Sequence, residues 1–215
     1  VVHQDLQLRL LESVPAATPV DVWLKIDTGM HRLGFAPEQV TDAYRRLQAL
    51  PGVRSVGLIT HFASADEPGS AQTLHQLETF RALQQSLQAE TGNPVPDSLA
   101  NSAAILAWPQ AQGSWVRPGI MLYGCSPFAD RSAESLGLRP VMTLRSRLIA
   151  VRELRAGEPV GYGASWVAQQ DTRIGVVAVG YGDGYPRHAV SGTPVLVNGV
   201  RVPLAGRVSM DMITV

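Results

Sequence analysis

Lys25 is the only lysine in this 215-residue chain, and Schiff-base chemistry with a carbonyl cofactor needs an amine. Asp27 stands two positions later. Further along, His61, the pair Asn101 and Ser102, and then Arg117 each follow a β-rich apolar stretch. An imidazole can move protons near neutral pH. A guanidinium offers N–H donors only and cannot readily surrender one. Taken singly, each has an ordinary reading: a satisfied histidine, a surface arginine ahead of Pro118, a strand-end lysine paired with Asp27. Taken together, polar groups at four successive strand ends point to one shared site.

The stretches before these groups must lie side by side for that site to exist. Leu6, Leu8, Leu10 and Leu11 suggest the end of a helix, and Val20 to Ile26 reads as a buried strand. Pro37 and Glu38 open a helix with proline in the first turn, and Val40, Ala43, Tyr44, Leu47 and Leu50 form its apolar face. Val53 to Thr60 is a second strand. Leu74, Leu77, Phe80, Leu83 and Leu87 predict a helix over 70–91. A third strand is expected over 95–101, a short helix over 102–108 and a fourth strand over 115–121. Strand alternating with helix marks a parallel sheet with crossovers. At about 30 residues per unit, four units make half of an eight-stranded barrel, whose sites gather at the C-terminal strand ends.

Residues 129–137 are polar, and beyond them helical spacing stops. Residues 141–151 alternate (Met142, Leu144, Ser146, Leu148) as a half-buried antiparallel strand does. Strands follow over 173–179, 194–197 and 200–204, with Asn198-Gly199 between the last two as a type I′ hairpin signal. The expected fold class is α/β followed by β: a partial (β/α) barrel over 1–130, a linker over 131–137, and a partial C-terminal β domain over 138–215. The chain stops inside the apolar run MDMITV, so a continuation is expected there.

Formal net charge is +0, which removes the electrostatic case for nucleic acid or an anionic membrane as partner. Hydrophobic residues at 45% and charged ones at 17% describe a globular core and exclude a disordered chain. Cys125 is the sole cysteine, so no intrachain disulfide can form, which fits a cytoplasmic setting. No apolar run approaches the roughly 20 residues of a membrane span. The opening residues VVHQDLQLRLLE carry charges within their apolar pattern, unlike a signal peptide.

Seven blocks then stand in order: LKIDTGMHRLG (Leu24 to Gly34), THFASAD (Thr60 to Asp66), ANSAA (Ala100 to Ala104), VRPGIMLYG (Val116 to Gly124), VGYGASW (Val160 to Trp166), GYGDGYPR (Gly180 to Arg187) and GRVSMDM (Gly206 to Met212). With the flanking Val22 and Trp23 they span nearly the whole chain, and they resemble the alanine racemase family. The resemblance implies a barrel that binds pyridoxal 5′-phosphate (PLP), followed by a β domain. It also implies a homodimer whose active sites each combine one barrel with the partner's β domain.

Residue roles follow by the same resemblance. Arg117 is similar to the arginine facing the PLP ring nitrogen, which it would leave unprotonated, weakening the ring as an electron sink and limiting transamination. His61 resembles the histidine bonded to that arginine. Ser102, with the backbone amides of Gly119 and Ile120 and the neighbouring Asn101, matches the phosphate cradle. Tyr162, between Gly161 and Gly163, is similar to the catalytic tyrosine; without the resemblance it would read as a packing residue of the β domain. Arg32 matches the arginine that contacts the PLP phenolic oxygen and the substrate carboxylate, and the Met210 N–H a second carboxylate contact. Asp66, Tyr181, Arg187, Arg207 and Asp211 match a narrow access corridor. Ser209 departs from the cysteine of many members, at a contact that is mainly backbone. Asp183 reads as a plain turn residue.

Lys25 has three readings. The chemistry of an amine makes it a PLP anchor; its neighbour makes it a partner of Asp27; the resemblance makes it a lysine carbamylated by CO₂ that holds Arg32. A carbamate needs an uncharged amine, which burial favours. The family's PLP-anchoring lysine lies in a segment outside these residues, so they are expected to be a fragment, inactive alone. The implied activity of the parent enzyme is two-base interconversion of L- and D-alanine, the latter a peptidoglycan precursor. A PLP decarboxylase of the same barrel type is disfavoured because no GGG phosphate motif occurs. A broad-specificity racemase is disfavoured by Met210 and Tyr181, and a non-catalytic PLP-binding protein by the β domain.

Overall fold

The structure is a computed structural model and describes residues 1–13 and 19–215. Two compact units divide between Met142 and Thr143, slightly beyond the boundary expected near 138.

The first unit runs α1 (Asp5–Ser13), β1 (Val20–Lys25), α2 (Val40–Gln48), β2 (Val53–Ile59), α3 (Ala71–Thr91), β3 (Asp97–Ser98) and α4 (Ser102–Ala107). Its strands are parallel in the order β1-β2-β3, with Lys25 opposite Ile59 and Ile59 opposite Ser98. Parallel bridges extend the row on both sides, Val2 to Leu24 and Ser98 to Trp115. This is the strand–helix alternation read from the sequence, and it places Lys25, Thr60–His61, Asn101 and Arg117 at or just beyond the same strand ends.

The third and fourth strands are shorter than expected. Pro96 has no N–H to add to the ladder, and the chain after Ser98 turns toward the cap of α4. Around Trp115 the pairing is a single bridge plus one bond from Arg117 N to Ala100 O (2.9 Å). Pro118 again donates nothing, and residues 120–123, expected partly as strand, coil into a 3₁₀ turn.

Leu8, Leu24, Leu47, Leu58, Phe80 and Leu99 are fully buried in one cluster, each contributing about 1.5–3 kcal/mol relative to exposure. The buried face of α3 is wider than its leucines suggest. Leu77, Phe80 and Leu87 face inward as expected, joined by the polar Thr73, Gln76 and Gln84, while Leu74 is exposed. Below the sheet, the buried Asp97 accepts from Ser114 N (2.6 Å) and is ion-paired with Arg81. Burial pushes its carboxyl up, but the Ser114 and Arg81 donors outweigh this and hold it below the usual range.

The second unit is all β: β4 (Leu148–Leu154), β5 (Pro159–Val160), β6 (Trp166–Val167), β7 (Thr172–Val177), β8 (Pro194–Val197), β9 (Val200–Pro203) and β10 (Ile213–Thr214). One antiparallel sheet has the order β10-β7-β4, and β5–β6 and β8–β9 are hairpins. Asn198 (φ 49°) and Gly199 (φ 81°) both take the left-handed conformation that the I′ turn demands. The strand expected from 141 begins at Leu148 instead. Its partner β7 ends at Val177; beyond it one backbone bond, Ala178 N to Arg147 O (3.0 Å), continues the pairing, and Ser146 adds only a side-chain bond to Ala178 O (2.7 Å). Val177, Val179, Leu204, Val208 and Ile213 form a small core. Among the described residues, no helix is long and apolar enough to cross a membrane.

Candidate active site

The turn after β1 is built on one carboxylate. Asp27 Oδ1 accepts from the N–H groups of Gly29, Met30 and His31, each at 3.0 Å. Burial raises the Asp27 carboxyl, yet these donors and His31 leave it lowered overall. Asp27 is thereby committed to its own turn, and no ion pair joins it to Lys25 among the described residues. The turn carries Arg32, whose side chain is exposed.

Arg117 reaches back beneath the neighbouring strand ends. Its Nη1 donates to Ser98 Oγ (2.5 Å) and its Nη2 to Thr60 O (2.6 Å) and Leu99 O (3.2 Å). Three of its N–H groups hold the scaffold, leaving the others for a ligand. Burial lowers its pKa, although a guanidinium stays charged. His61 is half-buried beside it. Burial first, then the charges of Arg117, Lys25 and Arg32, depress its imidazole to about 4, so it is neutral at pH 7. No hydrogen bond joins His61 to Arg117 among the described residues; the two are neighbours. Lys25 is lowered by burial and then by Arg117 and Arg32.

Asn101 caps α4, its Oδ1 accepting from Ala104 N (3.0 Å). Ser102 Oγ, buried, accepts from Gly119 N (2.8 Å) and Met121 N (3.3 Å). Gly119's amide is therefore spent on Ser102. The Ser102 hydroxyl proton and the Ile120 N–H are the donors left at this turn, since neither has a partner among the described residues.

Lys25, Arg32 and Arg117 thus share one end of the strands, and none has a carboxylate within 4.0 Å among the described residues. Unbalanced positive charge in a half-buried place is costly, and an anionic ligand relieves it. The cations with the free donors of Ser102 and Ile120 suit a group bearing phosphate and carboxylate.

In the second unit, Tyr162 sits in the turn between β5 and β6 and is 72% exposed. It shares one open depression with Ser165, Tyr181, Arg187, Arg207 and Met210. Arg187 lies over the Tyr181 ring, 5.6 Å from its centroid. Tyr181 N donates to Ser209 O (3.0 Å) and Gly182 N to Met210 O (2.8 Å). A Cβ on Gly180 would stand 2.2 Å from Met210 O, so only glycine allows these two loops to meet. The Met210 N–H has no partner among the described residues. Asp183 closes the turn by accepting from Gly180 N (2.9 Å), the structural task expected of it. Asp211 is exposed on the same loop as Met210. Asp66 stands exposed in the first unit, after β2. The sequence reading missed Thr28, Thr60, Gln72 and Gln76, which lie behind His61 and Arg32; the one available signal was the polar pair Thr73 and Gln76 among the apolar positions of α3.

Residues 1–127 match the family model described as the alanine racemase N-terminal domain, and residues 141–215 match the alanine racemase C-terminal domain. The chain belongs to the alanine racemase family. It is 57% identical over its whole length to alanine racemase from Vibrio cholerae and 59% identical to that from Shewanella amazonensis, spanning 58% of each. The biosynthetic alanine racemase of Pseudomonas aeruginosa superposes with TM-score 0.87 at 50% identity, over 99% of this chain and 58% of that one. The Streptomyces coelicolor alanine racemase gives TM-score 0.88 at 37% identity, over 99% and 57%. The fold is that of alanine racemases, barrel units followed by a β domain, and the alanine racemase domains divide between residues 127 and 141, close to the division seen in the structure.

Proposed function

We propose that the intact protein is a PLP-dependent alanine racemase. The observation that carries this reading is the group of Lys25, Arg32 and Arg117, none with a carboxylate within 4.0 Å among the described residues, around a neutral His61 at the strand ends of an alanine racemase fold. When bound, the cofactor supplies an electron-withdrawing ring that acidifies the α-hydrogen of an amino acid.

This chain's residues do the rest. The Ser102 hydroxyl and the Ile120 N–H would hold the phosphate at the start of α4, which Asn101 caps, with Gly119 shaping the turn through its bond to Ser102. Arg117, a donor only, meets the ring nitrogen as an acceptor and keeps it unprotonated. His61, neutral and beside Arg117, packs that guanidinium without adding charge. Arg32, exposed and without a carboxylate partner among the described residues, takes the alanine carboxylate, and the Met210 N–H of a second copy's β domain adds a second donor. Tyr162 is the acid/base for one face of the α-carbon, and a lysine outside these residues serves the other. Tyr181, Arg187 and Arg207, which surround the same depression as Tyr162, restrict access together with Asp66 and Asp211. Tyr162's exposure supports a homodimer in which it serves the partner's barrel. We place the enzyme in the cytoplasm.

The depressed Lys25 amine supports carbamylation: neutral amine and CO₂ combine, releasing a proton and leaving an anion that steadies Arg32. A Lys25 peptide heavier by one CO₂, lost on acidification, is the expected mass-spectrometric result; an unmodified peptide under bicarbonate removes this role. The activity is tested by incubating the intact protein with PLP and L-alanine in D₂O. Loss of the α-proton signal together with D-alanine formation is expected. PLP binding without either product would sink the racemase reading.

A further inference from the structure

Gln76 on α3 is fully buried, yet it makes no side-chain bond to its own helix. Its Nε2 donates to His61 O (3.0 Å) and to Thr28 Oγ1 (3.2 Å), and its Oε1 accepts from Ala63 N (2.9 Å). Gly29 lies against it, close enough that a Cβ there would be 3.3 Å from Gln76 Cγ. One turn earlier on the helix, Gln72 Nε2 donates to Gly29 O (3.1 Å) and its Oε1 accepts from Ser64 Oγ (2.9 Å). Both glutamines therefore tie together the two turns that follow β1 and β2.

The network continues to the site. Thr60 Oγ1 donates to Ile26 O (3.0 Å), which leaves Thr28 Oγ1 to donate in the hydroxyl hydrogen bond that joins Thr28 and Thr60 (2.7 Å). Thr60's carbonyl receives Arg117 Nη2, while the next carbonyl, that of His61, receives Gln76. The Thr60–His61 backbone is thus gripped from two sides, by Arg117 and by α3. Stability alone does not call for an amide here. Burying one costs free energy unless every polar atom is bonded, and methionine would fill similar space without that demand. Leu77, Phe80 and Leu87 already bury α3 against the core.

We infer that Gln76 is a positioning residue, which fixes the Thr28–Gly29 turn and the Thr60–His61 backbone and so sets the placement of His61 and Arg117. The inference rests on the racemase reading for its consequence in turnover, and on geometry alone for its effect on His61. Outer partners that orient functional groups typically matter at the level of tenfold to a hundredfold.

The test is Gln76→Met in the intact protein, read three ways. Folded protein with faster hydrogen exchange at the Ala63 amide, shifted or broadened His61 imidazole resonances, and kcat lower by about 10- to 100-fold with KM for alanine little changed is the expected result. Faster exchange at Ala63 with His61 resonances and kcat both unaltered would overturn the inference and leave Gln76 a packing residue. If Gln76→Met does not fold, Thr28→Val removes the hydroxyl link while leaving α3 intact. The same His61 shift is expected, and its absence counts against the inference equally. Should the unsubstituted protein fail to racemise alanine, the functional reading falls, while the His61 resonances still decide the positioning role.

Discussion

In residues 1–142 the central polar groups are braced from behind. Arg117 is held by three scaffold acceptors, the His61 carbonyl by Gln76, the Ser102 hydroxyl by two amides and the Arg32 turn by Asp27. In residues 143–215 the corresponding groups stand at tips. Tyr162 is 72% exposed and Met210 57%, on loops shaped by backbone bonds. The cores differ in the same sense. Behind the first site lies a continuous cluster that includes whole helix faces. Behind the second lies a small one, and Leu144, Ile149, Val151 and Leu196 remain exposed. The contrast separates two ways of supplying chemistry: a preorganised pocket whose residues are also structural, and a presented side chain whose removal the fold does not feel.

The sharpest check of that contrast is Tyr162→Phe. Turnover should fall by about 10²- to 10⁴-fold, while the melting transition stays within about 0.5 kcal/mol. A stability loss as large as that of a core substitution would show that the tip is structural after all. In the first unit the opposite pattern is expected of Arg81→Met; the hydrogen bonds of Arg81 go to Gln84, Asp97, Gln110 and Gln112 and, among the described residues, to none of the candidate site residues. Leaving the buried Asp97 carboxylate without its ion-pair partner should cost about 3 kcal/mol in urea unfolding. Because Asp97's folded pKa is lowered, its contribution is present above the unfolded carboxyl value and fades as pH falls through the folded one. The Arg81→Met variant should show a weaker acid dependence in that window. Asn198→Ala, in a left-handed turn position of the second unit, should cost about 1 kcal/mol and leave activity alone.

The gentlest effect concerns His61. Its folded pKa is about 4 against 6.5 for the free group, so the unfolded chain takes up a proton first as pH falls. Stability of the first unit should therefore decline from about pH 6.5 toward 4 and be unaffected above. Solvent screening of a half-exposed ring keeps this to about 1 kcal/mol or less. Urea midpoints for the native protein and for His61→Gln across that range measure it; parallel slopes would place the ring in solvent.

Much of the fold was legible because it depends on periodicity. The helices at 40–48 and 71–91 follow from apolar spacing, the first also from Pro37 ahead of it, and the Asn198-Gly199 turn from the conformations those residues tolerate. What was not legible depends on partners. The strand expected from Val141 needs a neighbour, and β7 ends before it can provide one. The β5–β6 hairpin has two residues on each side, too few to alternate. The groups Lys25, His61, Ser102 and Arg117 could be read because each ends an apolar run. Gln76, Thr28 and Thr60 could not, because a glutamine on a helix reads as a surface residue until the facing turns are known.

Arg32, Arg117 and the Lys25 amine, without a carboxylate within 4.0 Å among the described residues, carry a last consequence. Mutual repulsion between Arg117 and Arg32, joined by Lys25 for as long as its amine is protonated and unmodified, is a standing load on the fold, and any small anion that settles between them lightens it. The native state is then linked to anion concentration by mass action, gaining about 2.7 kcal/mol at a hundred times the dissociation constant. A phosphate buffer and an amine buffer at equal pH and ionic strength would report two different stabilities for the same polypeptide.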